Sequence, residues 1–331
     1  MKAARLLAAT LAALVLAAPV AAQEKFKVGY LRVMDDAQAI LADKAGLYAR
    51  RGVNVELVEF QSGTDLIKAI VGGQLQSGVL GFTNAIAWAS RGADLKVVGG
   101  AQNGYHAMIV RQDAGIETIA DLKGRTIASQ KEGSTADTVL KGVVFKQAGL
   151  APSDVNIMGV SPQVAVQSLV GKRVDAAFLF EPQASLVKAI APVKEIYEIG
   201  EVWPFPCMVV ITSAEVLKSR KDELWKTLDA QKDAIDMLQQ RPGEAAKYIA
   251  AEFIAEPVVR TLDGRELPRE AIITDAIRTQ VFNAALTDKD RSRMKEIATI
   301  MQESGSLKTR DGSPFDVDSL LDLGWQEERK L

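Results

Sequence analysis

The sequence predicts an α/β protein of two lobes, each lobe a mostly parallel sheet flanked by helices. Three observations predict it. The chain has 331 residues, too long for one typical core and suited to two. It matches itself: Val28, Gly29 and Tyr30 align with Ile127, Ala128 and Ser129 at an offset of 127 − 28 = 99, and 66–85 aligns with 165–184 at the same offset. Each copy reads strand, loop, helix, strand, helix, strand, and such alternation builds parallel sheets with helices on both faces.

The elements follow in order. Lys2 and Arg5 precede an apolar run over 6–18, followed by Val20 and Ala22 as small residues for cleavage, so 1–22 is expected to be a secretory signal peptide. The run is shorter than the roughly 20 residues a spanning helix needs. Within the first copy, Ile40 and Leu41 mark one helix, and Leu66, Ile67, Ile70 and Val71 have the spacing of a buried stripe on the next. Gly72 and Gly171 close the matching helices. Val55, Leu57, Val58 and Phe60 suggest a strand buried on both faces, and Val53-Asn54-Val55 pairs with Val155-Asn156-Ile157 at an offset of 102. Beyond 213 the pattern is helical over 223–239, 242–253, 268–285 and 288–303, with a terminal segment at 318–325.

Composition removes several functions. Lys and Arg total 40 against 42 for Asp and Glu, and no basic block follows the leader, so nucleic acid is not an expected partner. One cysteine, Cys207, excludes a disulfide framework, and one histidine, His106, excludes multi-histidine metal sites. Neither a metal nor a cofactor is expected. A nucleophile needs a base within reach, and His106 is the only histidine. No G-x-S-x-G, P-loop or paired-glycine fingerprint supports an enzyme.

Ligands of open parallel sheets bind beyond the carboxyl ends of the strands. The loops to inspect are 31–36 and 82–84 in the first copy and 130–135 and 181–183 in the second. Two lobes presenting matching loops suit a clamp.

The order Phe26-Lys27-Val28-Gly29-Tyr30, Lys44-Ala45-Gly46-Leu47 with Arg51-Gly52-Val53, Asp121-Leu122-Lys123-Gly124-Arg125, Gly133-Ser134, and Gly171 to Asp175 with Glu181-Pro182 resembles the nitrate, sulfonate and taurine branch of periplasmic substrate-binding proteins of ABC transporters. The resemblance covers about 25–215 and is carried by spacing, not by any single motif. It implies a type II periplasmic-binding-protein-like fold with two crossing hinge segments, closing on one small organic solute and docking on a membrane permease. The chain is then expected in the periplasm, as a monomer. Gln76 stands where Asp175 stands in the other copy and where relatives often carry Asp. It lies before the strand, away from the cleft, so only a structural consequence is expected.

On this scheme 23–110 begins the first lobe, with Ala107 to Val110 as the strand that leaves it. The second lobe is 111–204, and 205–331 returns through Cys207 to Ile211 and packs its helices back on the first. Candidate ligand contacts are Met34, Asp35, Phe82, Thr83, Asn84, Tyr105, His106, Glu132, Gly133, Ser134, Thr135, Glu181 and Phe205. Ser134 opens a helix after a strand, a place that favours an anion but equally a plain cap. Asp35 reads as a helix cap before it reads as a contact, and His106 as a satisfied hinge residue before a ligand. Glu181 at a strand end would accept from an amine, amide or ring N–H, which disfavours a purely anionic ligand there. The expected function is capture of a sulfonate- or taurine-like solute for an importer. A pyrimidine or aromatic carboxylate is the alternative within binding, and a pyrimidine-precursor synthase, which shares the fold, is the alternative enzyme.

Overall fold

The computed structural model describes residues 24–309 and 312–331, so the expected signal peptide lies outside the described residues. In chain order the strands are β1 (Phe26–Leu31), β2 (Val55–Phe60), β3 (Ser77–Gly81), β4 (Lys96–Asn103), β5 (Ala107–Arg111), β6 (Thr126–Ser129), β7 (Asn156–Gly159), β8 (Ala176–Leu179), β9 (Val193–Glu198), β10 (Pro206–Thr212), β11 (Val258–Arg260), β12 (Glu266–Pro268) and β13 (Val281–Phe282). One sheet runs β13-β4-β10-β3-β1-β2, a second runs β7-β6-β8-β5-β9, and β11 and β12 form a hairpin. Each large sheet has a parallel triplet, β2-β1-β3 and β7-β6-β8, extended by an antiparallel strand, β10 or β5.

The internal repeat is carried in the strand register. Val28 lies opposite Ser77 and Ile127 opposite Ala176, so both partners are displaced by 99. The helices Gly63–Val71 and Pro162–Val170 are displaced by the same 99. The outer strand corrects the alignment of 53–55: Leu57 faces Val28 and Ile157 faces Ile127, an offset of 100 and not 102. Gln76 and Asp175 perform one task in the two copies. Lys27 N donates to Gln76 Oε1 at 2.7 Å and Thr126 N donates to Asp175 Oδ2 at 3.1 Å, each at the amino end of the central strand.

The second sheet is covered on both faces, because side chains of successive strand residues point opposite ways. Met108, Val110, Ile127 and Phe178 join the large core shared with the first lobe and the C-terminal helices, whereas Ala107, Ile109, Ala128 and Leu179 form a separate core with the helix Pro162–Val170.

Five expectations are corrected. Ala107–Arg111 is the second sheet's own antiparallel strand, so the chain crosses at Gly104, Tyr105 and His106, before the expected boundary. β2 ends its sheet and is half-buried throughout, since an edge strand lacks a neighbour on one side. Val71 is 49% exposed, beyond the apolar stripe of its helix. The C-terminal helices pack on both lobes: Lys221–Gln240 and Pro242–Phe253 against Ala37–Lys44, but Arg269–Arg278 also against the second-lobe helix Gln183–Ile190. Leu262 N donates to Ala189 O at 3.0 Å in the same contact. The helix expected over 268–285 stops at Arg278 because Val281 and Phe282 pair with the free edge of β4. No helix among the described residues is long and apolar enough to cross a membrane.

Candidate interlobe site

The carboxyl ends of β1, β3, β6 and β8 carry the loops that meet between the lobes. Thr83, in the first turn of the helix Phe82–Ala89, and Thr135, in the first turn of Thr135–Val139, share a hydrogen bond of 2.8 Å between their hydroxyls. Both are buried. The lobes are therefore closed on one another, and Gly81 explains how close they come: a Cβ there would lie 2.9 Å from Thr135 Oγ1.

Around this contact are polar side chains that water does not reach. Asp35 is 5% exposed and its Oδ1 has no hydrogen-bond partner. Its carboxyl is pushed up to about 8, by burial first and then by the negative charge of Glu181 across the cleft. Asp36 is also raised well above the usual range by burial, although its Oδ2 accepts from Leu31 N at 2.8 Å. Glu181, fully buried, is fixed by three donors: Ser185 N at 3.0 Å, Ser185 Oγ at 2.9 Å, and Thr279 Oγ1 at 2.9 Å from the C-terminal segment. Burial raises its pKa despite these bonds. The Glu181-Pro182 peptide is cis.

His106 sits on the first crossing. Its ring stacks on Phe178 at 5.4 Å and lies 5.9 Å from Phe180 and 6.4 Å from Phe205 of the second crossing. Burial lowers its pKa to about 4, so the imidazole is neutral at pH 7. The two crossings are bonded together, Gly104 N donating to Phe205 O at 2.7 Å and Ile199 N to His106 O at 3.1 Å.

The structure thus brings Asp35, Thr83, His106, Thr135, Glu181 and Phe205 to the closed interlobe region and separates other candidates from it. Met34 and Phe82 are buried in the main core. Asn84, by contrast, stays beside the contact: its Nδ2 lies 3.5 Å from where a Cβ on Gly81 would be and 3.0 Å from one on Gly63, the first residue of the preceding helix Gly63–Val71. Tyr105 donates to Glu195 Oε2 at 3.1 Å, and burial raises its pKa. Glu132 and Gly133 are exposed, lining a groove of about 410 Å³ with Ile300 and Glu303 of the C-terminal helix Asp288–Glu303.

Three local expectations change. Asp35 caps no helix: Asp36 holds the cap position of Ala37–Lys44 and makes no side-chain cap bond. His106 is not fully satisfied, because Nδ1 is buried without a partner. The Ser134 helix end is already filled, since Ser134 Oγ accepts from Asp137 N at 3.1 Å and Asp137 Oδ2 accepts from Gly133 N at 3.0 Å. A side-chain carboxylate takes the position a ligand anion would take.

Sequence reasoning passed over Gln38, Gln102 and Ser129, and placed Gln183 in a loop to inspect without choosing it as a contact. Each has a buried side-chain polar atom without a partner, and each lies near a strand's carboxyl end or in the first turn of a following helix. A lone glutamine inside an apolar stretch was the signal, as in Val-Val-Gly-Gly-Ala-Gln before Asn103. The arginine of these loops, Arg32, turns outward, half exposed, to pair with Glu59.

Comparison with known proteins agrees with this architecture. The NMT1/THI5-like family matches residues 34–245. A Bacillus subtilis protein described as a candidate aliphatic sulfonates-binding protein is 27% identical over 233 residues, 70% of each chain. The taurine-binding periplasmic protein of Escherichia coli is 25% identical over 215 residues, 64% of this chain and 65% of the relative. Among solved structures, the periplasmic aliphatic sulphonate binding protein of Escherichia coli superposes with a TM-score of 0.75 at 19% identity, covering 92% of this chain and 98% of the other. That likeness shows the two-lobed periplasmic-binding-protein fold. With a family match over well more than half its length and the fold to go with it, the chain belongs to the NMT1/THI5-like family.

Proposed function

We propose that this protein is the solute-binding component of an ABC importer, acting in the periplasm by closing two lobes on one small organic molecule and presenting it to a membrane permease. The observation that carries this reading is the closed interlobe region itself. Hydroxyls from opposite lobes meet there, and beside them lie buried polar atoms of Asp35, His106, Gln102 and Ser129 that no protein group satisfies. Buried polar groups are normally paired, and a solute with matching donors and acceptors would pair them. The names of the relatives support an importer, and the expected leader supports export.

Catalysis has less support. Cys207 is buried, and burial with the nearby Asp35 and Asp36 pushes its thiol up, away from the reactive thiolate. The neutral His106 ring is enclosed by aromatic rings.

A thermal-shift screen of the purified chain from Gln23 tests the proposal, with sulfonates, taurine, nitrate, pyrimidines, aromatic acids and amines as probes. A true ligand at a hundred times its Kd adds about 2.7 kcal/mol of stability and leaves the assay chemically unchanged. Turnover of a bound probe would favour the enzyme.

A further inference from the structure

The charges in the closed cleft have one sign. Asp35 comes from the loop after β1 and Glu181 from the loop after β8, on opposite lobes, and both are buried. Glu181 is held in place by Ser185 and Thr279, which leaves Oε2 with a single donor. Asp35 Oδ1 has none. The cations nearest in sequence are engaged elsewhere: Arg32 with Glu59, and Lys188, whose charge Glu181 feels, with Glu195 at 2.8 Å. At the Ser134 helix end, Asp137 takes the position an anion would take. Phe180 precedes Glu181 in the chain, and the His106 ring lies 5.9 Å from Phe180 and 6.4 Å from Phe205, so an apolar, electron-rich cluster adjoins Glu181.

We infer that the cleft is built for an organic cation, a protonated amine, amidine or similar nitrogen base that donates its N–H groups to Asp35 and Glu181 and lays its apolar body on the His106–Phe180–Phe205 wall. This rests on the solute-binding reading above. Burial disfavours ionisation of both carboxyls, and a cation beside them offsets that cost while filling the lone pairs of Asp35 Oδ1. The same wall adds attraction for a cation over aromatic faces. An alkanesulfonate would set its negative charge beside these buried carboxyls, with no Arg or Lys among the described residues bonded to either.

Probes of equal shape and opposite charge test it. Melting temperature and titration calorimetry are measured at pH 7 with benzylamine and benzamidine against benzenesulfonate and benzoate. Any solute carried through native purification is released and identified by mass spectrometry. The expected result is stabilisation by the cations alone, or a basic nitrogen compound as the retained solute. Cation binding should release protons, seen as a calorimetric heat that depends on the buffer, because Asp35 must ionise to pair. Asp35→Asn and Glu181→Gln should each weaken the cation about tenfold or more, with the fold checked by circular dichroism. A sulfonate, another acid or a neutral solute in the cleft, or cation affinity unchanged in both variants, overturns the inference and leaves the solute-binding function standing. If no probe of either charge binds and nothing is retained, both fall.

Discussion

Asp35 and His106 are buried in one cleft and shifted in opposite directions, so each sets one side of the pH dependence of stability. Folded Asp35 holds its proton up to about 8, whereas its ordinary value is 3.8. Between those values the native state binds more protons than the unfolded chain, and stability falls as pH rises through the window. Asp36, raised in the same direction, steepens the fall. His106 is lowered from 6.5 to about 4, so the native state binds fewer protons and stability falls as pH drops through that range. The two slopes oppose each other from about pH 4 to 6.5, so Asp35→Asn should flatten the fall of Tm above about 6.5 and steepen the rise of Tm below it. A variant whose alkaline limb matches the parent would show that Asp35 ionises freely. His106→Phe should flatten the acid limb in the same assay.

At the scale of elements, the repeat was the most legible feature of the sequence. Periodicity and a fixed offset located both parallel triplets, and the helical pattern over 242–253 and 288–303 coincides with the helices Pro242–Phe253 and Asp288–Glu303. What composition did not reveal was lateral position. An apolar run such as Val55, Leu57, Val58, Phe60 looks the same in a central strand and at an edge, because neighbours across the sheet are set by topology. For the same reason Ala107–Arg111 read as first-lobe core: its partners, β8 and β9, are distant in sequence. Of the candidate site, residues at strand ends were found by rule, and one whose side chain turns aside, such as Tyr105, could not be separated without coordinates. Gln76 and Asp175 show how far equivalence extends. Gln76→Ala leaves Lys27 N–H without its acceptor, Asp175→Ala does so for Thr126 N–H, and each should cost about 1–2 kcal/mol in urea unfolding. Asp175 is expected to cost more, since its Oδ1 also lies 3.5 Å from Arg111 Nη2. Equal, negligible losses would mean the strand starts are held by the sheet alone.

The whole molecule is a clamp with a brace. Lobes joined only by two crossing segments would open as hinged bodies, but here the C-terminal third touches both. Thr279 bonds Glu181, Leu262 bonds Ala189, and Gly142 approaches Ile300 so closely that a Cβ would sit 2.3 Å from Ile300 Cγ2. Opening must slide the second lobe against these helices as well as bend the crossings. Gly81→Val should hold the clamp ajar, because the backbone there, φ −59, accepts a side chain while Thr135 does not. Overpacking of this kind costs roughly 1–3 kcal/mol, levied here on closure and not on the folding of either lobe. Small-angle scattering with the bound solute should show a larger radius of gyration than the parent, and a compact Gly81→Val protein would mean the lobes do not meet at Thr83 and Thr135.

The bond that joins the two lobes at Thr83 and Thr135 is between uncharged hydroxyls, either of which can donate. Among the described residues, the one ion pair from the second lobe to the helix Asp288–Glu303, Lys146 with Glu303 at 3.9 Å, is exposed at both ends, where such pairs contribute little. Ionic strength therefore has almost nothing to act on in the closing motion. The contact at Thr83 and Thr135 should hold when the salt concentration around the protein rises or falls.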